Sequence, residues 1–160
     1  MPGDGLDRHA ALRASPLLRE FTDVGIRIIG EACEQRSVGR GTYAFRAGET
    51  SPGLGFVAKG TLQLLPTEGG SPLGELGPGD TFGGLSLIQP GEHLLTGMAP
   101  DDVELLVLTH QALEALEKNN PRTALKLRLA ISADLADRLR EAKGPLREFL
   151  AWQIARRHGG

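Results

Sequence analysis

Leu73–Ile88 reads LGELGPGDTFGGLSLI, and after a short loop His93–Leu108 reads HLLTGMAPDDVELLVL. In the first stretch a short strand-like run meets the turn Gly77-Pro78-Gly79-Asp80, resumes at Thr81-Phe82 and meets a second glycine pair, Gly83-Gly84. Glycine and proline favour backbone angles that strand interiors do not use, so their spacing marks where strands stop. In the second stretch Asp101-Asp102 forms a surface turn ahead of a strand beginning at Val103.

The same texture extends upstream. Val38–Glu49 (VGRGTYAFRAGE) and Gly55–Leu65 (GFVAKGTLQLL) are short runs closed by glycine turns, and turns recur every eight to twelve residues from Gln35 to Leu108. Glycine (22) and proline (10) make up a fifth of the 160 residues, against a usual share of about 12%. Closely spaced short strands without intervening helices predict a mainly β fold, an antiparallel β-roll (double-stranded β-helix or jelly roll), and exclude alternating βαβ units.

Helical periodicity flanks the roll. Leu17, Leu18, Phe21, Val24, Ile28, Ile29 and Ala32 recur mainly every three or four residues, with a break at Thr22, which suits an N-cap. Residues 1–14 are expected to be a flexible tail with one helical turn near Asp7–Ala14. His110–Lys118 is a short helix; Asn119-Asn120-Pro121 breaks it and starts a long one that runs to Lys143, where Gly144-Pro145 stops it. The expected organisation is thus tail 1–14, β-roll with N-terminal helices 15–118, long helix 119–143, and a short amphipathic helix and tail 145–160.

The long helix carries Ala124, Leu127, Ile131, Leu135, Leu139 and Ala142 on one stripe, widened by Leu125, Leu129 and Ala136. That is more apolar width than one contact needs. Leu127, Ile131, Leu135 and Leu139 are expected to meet a second copy or a protein partner, with Phe149 and Trp152 of the last segment as further anchors.

Composition narrows the function classes. Hydrophobic residues make up 40% and charged ones 24%, and no apolar run approaches the roughly 18 residues of a membrane span. The N-terminus is acidic where a signal peptide starts cationic, so a cytoplasmic protein is expected. One cysteine, Cys33, allows no internal disulfide, and four scattered histidines make neither a zinc site nor the ligand set of a cupin-type metal enzyme. No nucleophile signature is present, and no catalytic residue, metal or cofactor is assigned.

The order β-roll, short helix, long helix, with GPGDTFGGLSL at its centre, resembles the cyclic-nucleotide-binding domain family over about Ser15–Lys143. Gly79-Asp80 and Phe82-Gly83 match the family's turn and the start of its phosphate-binding cassette; Leu85, Ser86 and Leu87 match its short helix. The resemblance implies a glutamate for the ribose hydroxyl directly after Phe-Gly, where this chain has Gly84. It implies an arginine for the phosphate where this chain, counted back from Thr96, has His93, with Leu94 and Leu95 in place of small or hydroxyl-bearing residues. A cyclic phosphate wants a cationic fork and N–H donors, and a ribose hydroxyl wants a carboxylate. Losing two charge-assisted bonds costs about 3–6 kcal/mol, or 10²–10⁴-fold in affinity. Gly83, Gly84, Leu85, Ser86, His93, Leu95 and Thr96 are therefore read as a degenerate pocket, partly filled by leucine. Its remaining anion holders would be the N–H groups of 83–86 and the Ser86 and Thr96 hydroxyls, with His93 taken as a solvated loop residue.

Relatives of this kind often carry a helix-turn-helix after the long helix, and about fifteen residues beyond Gly144-Pro145 are too few for one, so direct sequence-specific DNA reading is not expected. The expectation is a non-catalytic regulatory or scaffolding module that does not bind cAMP or cGMP in the usual way and works through protein contacts. The alternative is a sensor of a cyclic nucleotide or other anion that moves its C-terminal helices.

Overall fold

The computed structural model describes residues 5–88 and 90–148. Helix α1 (Arg8–Arg13), a 3-10 turn (Pro16–Leu18) and helix α2 (Asp23–Ala32) lead into strands β1 (Glu34–Val38), β2 (Tyr43–Phe45), β3 (Gly53–Lys59), β4 (Leu62–Leu65), β5 (Gly74–Leu76) and β6 (Thr81–Phe82). Helix α3 (Leu85–Ile88), strands β7 (Thr96–Met98) and β8 (Val103–Thr109), and helices α4 (His110–Asn119) and α5 (Pro121–Glu141) follow. The strands form two four-stranded antiparallel sheets, ordered β1-β8-β3-β6 and β2-β7-β4-β5. Eight strands in two sheets, with helices at both ends of the chain, are the jelly-roll-like architecture read from the sequence.

β8 divides the interior. Alternate side chains of a strand leave opposite faces, and on β8 and its neighbour β3 both faces are buried. Leu54, Phe56, Leu106 and Leu108 face a core shared with α1, α2, α4 and α5; Val57, Val103, Leu105 and Val107 face a second core between the sheets, with Phe45, Leu62 and Leu76. The register Leu54↔Leu108, Phe56↔Leu106 and Val57↔Leu105 keeps the two sets apart.

The expected caps are present. The Thr22 hydroxyl accepts the Gly25 N–H at 3.1 Å, and Pro121 opens α5. α5 ends at Glu141, and a further helical stretch covers 144–148; Phe149 and Trp152 lie outside the described residues.

Two expectations change. The N-terminal segment is more than a tail: the Asp7 carboxylate caps α1 through Ala10 N–H at 3.0 Å, and Leu12 sits fully inside the first core. Arg8 Nη1 donates to the Gly30 and Cys33 carbonyls at 2.8 and 2.7 Å, tying α1 across the end of α2. A helix of six residues cannot hold itself together in water; this one forms because it is docked.

The second change concerns α5. Ala124, Leu127 and Ile131 are buried in the first core and Leu135 packs beside them, so these residues attach the helix to its own roll. The stripe left outside is Leu125 (58% exposed), Leu129 (62%) and Leu139 (48%). Of the four long-helix residues assigned to a partner, only Leu139 faces outward.

Replacing Leu12 by Ala should lower unfolding stability by about 2–5 kcal/mol, as for other buried leucines. Urea melts with an unchanged slope check this; a loss below about 0.5 kcal/mol would mean that the segment is the loose tail its composition suggests.

Candidate functional site

A cavity of about 250 Å³ opens at the end of the roll where the two cores meet. Its floor is the β6–α3 corner, its inner wall Phe45 and Leu64, and its cover Ile131, Asp134, Leu135 and Arg138 of α5. The degenerate-cassette residues Gly83, Gly84, Leu85, Ser86, His93 and Leu95 all line it. Thr96 is buried nearby on β7, where its hydroxyl accepts Ala47 N–H at 2.9 Å.

The corner depends on its glycines. Gly83 has φ +73°, a region favourable to glycine, and a Cβ there would strike the Gly53 carbonyl and come within 2.9 Å of Ser51 Oγ. At Gly84 the restriction comes from α5: a Cβ would lie 3.3 Å from Ile131 Cγ2 and 3.4 Å from Leu54 Cδ1. No carboxylate is present at 84, and the Ile131 side chain of the helix lies slightly inside ordinary contact distance of where its stem would begin.

Of the groups expected to hold an anion, the side-chain hydroxyls and one of the four N–H groups are engaged within the chain. The Ser86 hydroxyl donates to Gly83 O at 2.7 Å and lies 3.0 Å from Ser51 Oγ; Ser86 N–H and Leu87 N–H donate back to Gly83 and Gly84 at 3.1 Å. The Thr96 hydroxyl is also occupied, whereas the N–H groups of Gly83, Gly84 and Leu85 donate no backbone bond among the described residues and are what is left of the cradle.

His93 is not a solvated loop residue. It is 8% exposed, its ring stacks on Phe45 with centroids 4.6 Å apart, and Phe45 stacks in turn on Phe82 at the same spacing. The loop is fixed by backbone bonds from His93 N–H to Glu49 O and from Gly48 N–H to His93 O, both 2.9 Å. His93 Nε2 is buried with no hydrogen-bond partner among the described residues. Burial holds its pKa below the ordinary value, only partly opposed by the Glu49 carboxylate, so the ring is neutral near pH 7.

Sequence reasoning did not single out the α5 charges. Arg138 donates to the Thr81 carbonyl at 2.9 Å and to Thr81 Oγ1 at 2.6 Å, and its Nε lies 2.9 Å from Asp134. Arg128 donates to Leu87 O at 2.9 Å and pairs with Glu117. The i,i+4 spacing of Asp134 and Arg138 is visible in the chain, but that the pair lies over the mouth of a cavity follows only from docking. Among the described residues no three of His, Cys, Asp or Glu converge as metal ligands, and no helix is long and apolar enough to cross a membrane.

Residues 35–120 match the family model for the cyclic nucleotide-binding domain. The chain belongs to the cyclic nucleotide-binding domain family. It is 32% identical over 148 residues to the cyclic AMP receptor protein of Thermus thermophilus, covering 91% of this chain and 66% of that one, so it spans about two thirds of that relative. The N-terminal domain of a transcriptional regulator from Streptomyces coelicolor A3(2) superposes with a TM-score of 0.70 at 27% identity, over 84% of this chain and 98% of that one. A cyclic nucleotide-binding domain from Methylobacillus flagellatus gives 0.72 at 19% identity, over 84% and 78%, a likeness of fold alone.

The depressed His93 pKa has a definite sign. The unfolded chain takes up a proton near the ordinary 6.5 and the folded one only at lower pH, so stability is complete above that value and is lost as pH falls below it. Urea midpoints should drop between about pH 7 and pH 5. The drop should shrink in His93→Gln, and an identical pH profile in the variant would remove His93 as its source.

Proposed function

We propose that this cyclic nucleotide-binding domain is a non-catalytic regulatory or scaffolding module that does not hold cAMP or cGMP in the family's usual way. It acts through protein contacts, in the first place with a second copy along α5. The observation that carries the reading is the state of the only cation lining the cavity among the described residues. Arg138 is neutralised by Asp134 and bonded twice to Thr81, while His93, which the resemblance puts at the phosphate position, is a neutral, buried histidine. A cyclic phosphate would have to break those bonds to gain a charged partner.

The surface of α5 supports the contact. Leu125, Leu129, Ser132, Ala136 and Leu139 are exposed and follow alternating spacings of four and three, the pattern of a two-helix seam. The rest of the helix is held to the roll by Leu127, Ile131 and Arg138, so the seam is presented on a fixed support. Sequence-specific DNA reading has no element among the described residues to carry it and is not part of this proposal.

Calorimetric titration with cAMP and cGMP at low salt should give no heat, and light scattering on the same sample should give a dimer mass. Leu125→Glu with Leu129→Glu should yield a folded monomer, because exposed positions change stability by about 0.5 kcal/mol or less. Ile131→Glu should instead unfold the chain by burying a charge. Micromolar cyclic-nucleotide binding would overturn the pocket half of the reading, and a wild-type monomer would overturn the contact half.

A further inference from the structure

Removing nucleotide chemistry leaves a cavity whose lining still selects. It is walled mostly by carbon: Phe45, Leu54, Leu64, Leu95 and Leu135 contribute side chains, and α5 closes over them. An apolar cavity of about 150 Å³ stays dry and admits benzene, so about 250 Å³ has room for a somewhat larger ring system. Charge works against an anion: Asp134 cancels Arg138, and Glu92 adds a carboxylate at the rim. One polar atom is unaccounted for, because His93 Nε2 is shut away from solvent without a partner among the described residues. A buried polar atom left bare costs about 1–3 kcal/mol, and a neutral imidazole nitrogen can donate or accept one hydrogen bond according to its tautomer.

We infer that the cavity binds an uncharged one- or two-ring aromatic molecule with a single hydrogen-bonding group. His93 lines the cavity but its Nε2 is covered, so that group meets it after a small displacement of the lining, and the ring lies among Phe45, Leu54 and Leu135 beneath α5. This rests on the proposed loss of nucleotide binding and names what occupies the site instead. Shape and desolvation supply the affinity, and the histidine supplies orientation. The cover of the cavity is the helix that carries the exposed leucine seam, so an occupant touches the inner face of the element whose outer face makes the contact.

The probes are indole and 2-naphthol, with 2-naphthoate as an anion of matched shape. Calorimetry on the full chain should detect both uncharged probes and not the naphthoate. His93→Phe, which keeps the ring area and removes the nitrogen, should weaken binding about 2- to 12-fold. Methyl NMR separates the cavity from non-specific adhesion: shifts should concentrate at Ile131 and Leu135, and shifts confined to Leu125 and Leu129 would overturn the inference. Silence from both probes at millimolar concentration, with cAMP also silent, would overturn this ligand class and leave the nucleotide reading intact. Heat from cAMP would overturn both.

Discussion

The fold depends on one strand being apolar on both faces. β8 carries Leu106 and Leu108 to the helical side and Val103, Leu105 and Val107 to the space between the sheets, so one backbone anchors two cores. Each core alone would be small for a domain, and the hydrophobic term grows with the area removed from water. Antiparallel partners on both edges, β1 and β3, satisfy its backbone groups and fix the register. A one-residue slip would exchange the two sets of side chains and damage both cores together. The cavity lies where these cores meet, so its walls come from both.

Much of this was legible in the chain. Turn residues spaced every eight to twelve positions identified the roll, Thr22 and Pro121 marked helix starts, and GPGDTFGGLSL located the corner around which the site is built. What could not be read was the direction in which equivalent residues point. Leu127 and Ile131 are as apolar as Leu125 and Leu129 and lie on adjacent stripes of one helix; only its docking on the roll decides which pair is covered. His93 misled for a related reason. Gly91-Glu92 beside it read as a solvated loop, whereas the Phe45 ring that shelters it lies far away in the chain. Leu12 belongs to a helix too short to show periodicity, and its burial depends on Arg8 reaching carbonyls at Gly30 and Cys33.

The site is best understood as a set of internal satisfactions. Ser86, Thr96 and Arg138 are the side chains an incoming anion would seek, and each is bonded within the chain. Bonds already made at fixed geometry involve no further ordering, whereas those to a ligand must first displace them. Arg138, bonded to Thr81, and Arg128, bonded to Leu87, also fasten α5 to the cassette it covers.

Gly84 ties the pocket to the helix above it. A carboxylate at this position is a single codon change away from glycine. Here Ile131 Cγ2 and Leu54 Cδ1 lie within contact distance of a Cβ at 84, so a longer side chain there would have to displace those two side chains first. The helix is in turn held by Arg138, and the gap and its cover now form one unit. A substitution at 84 would therefore be felt by the helix as well as by the pocket, and the corner acts as a lever between the two.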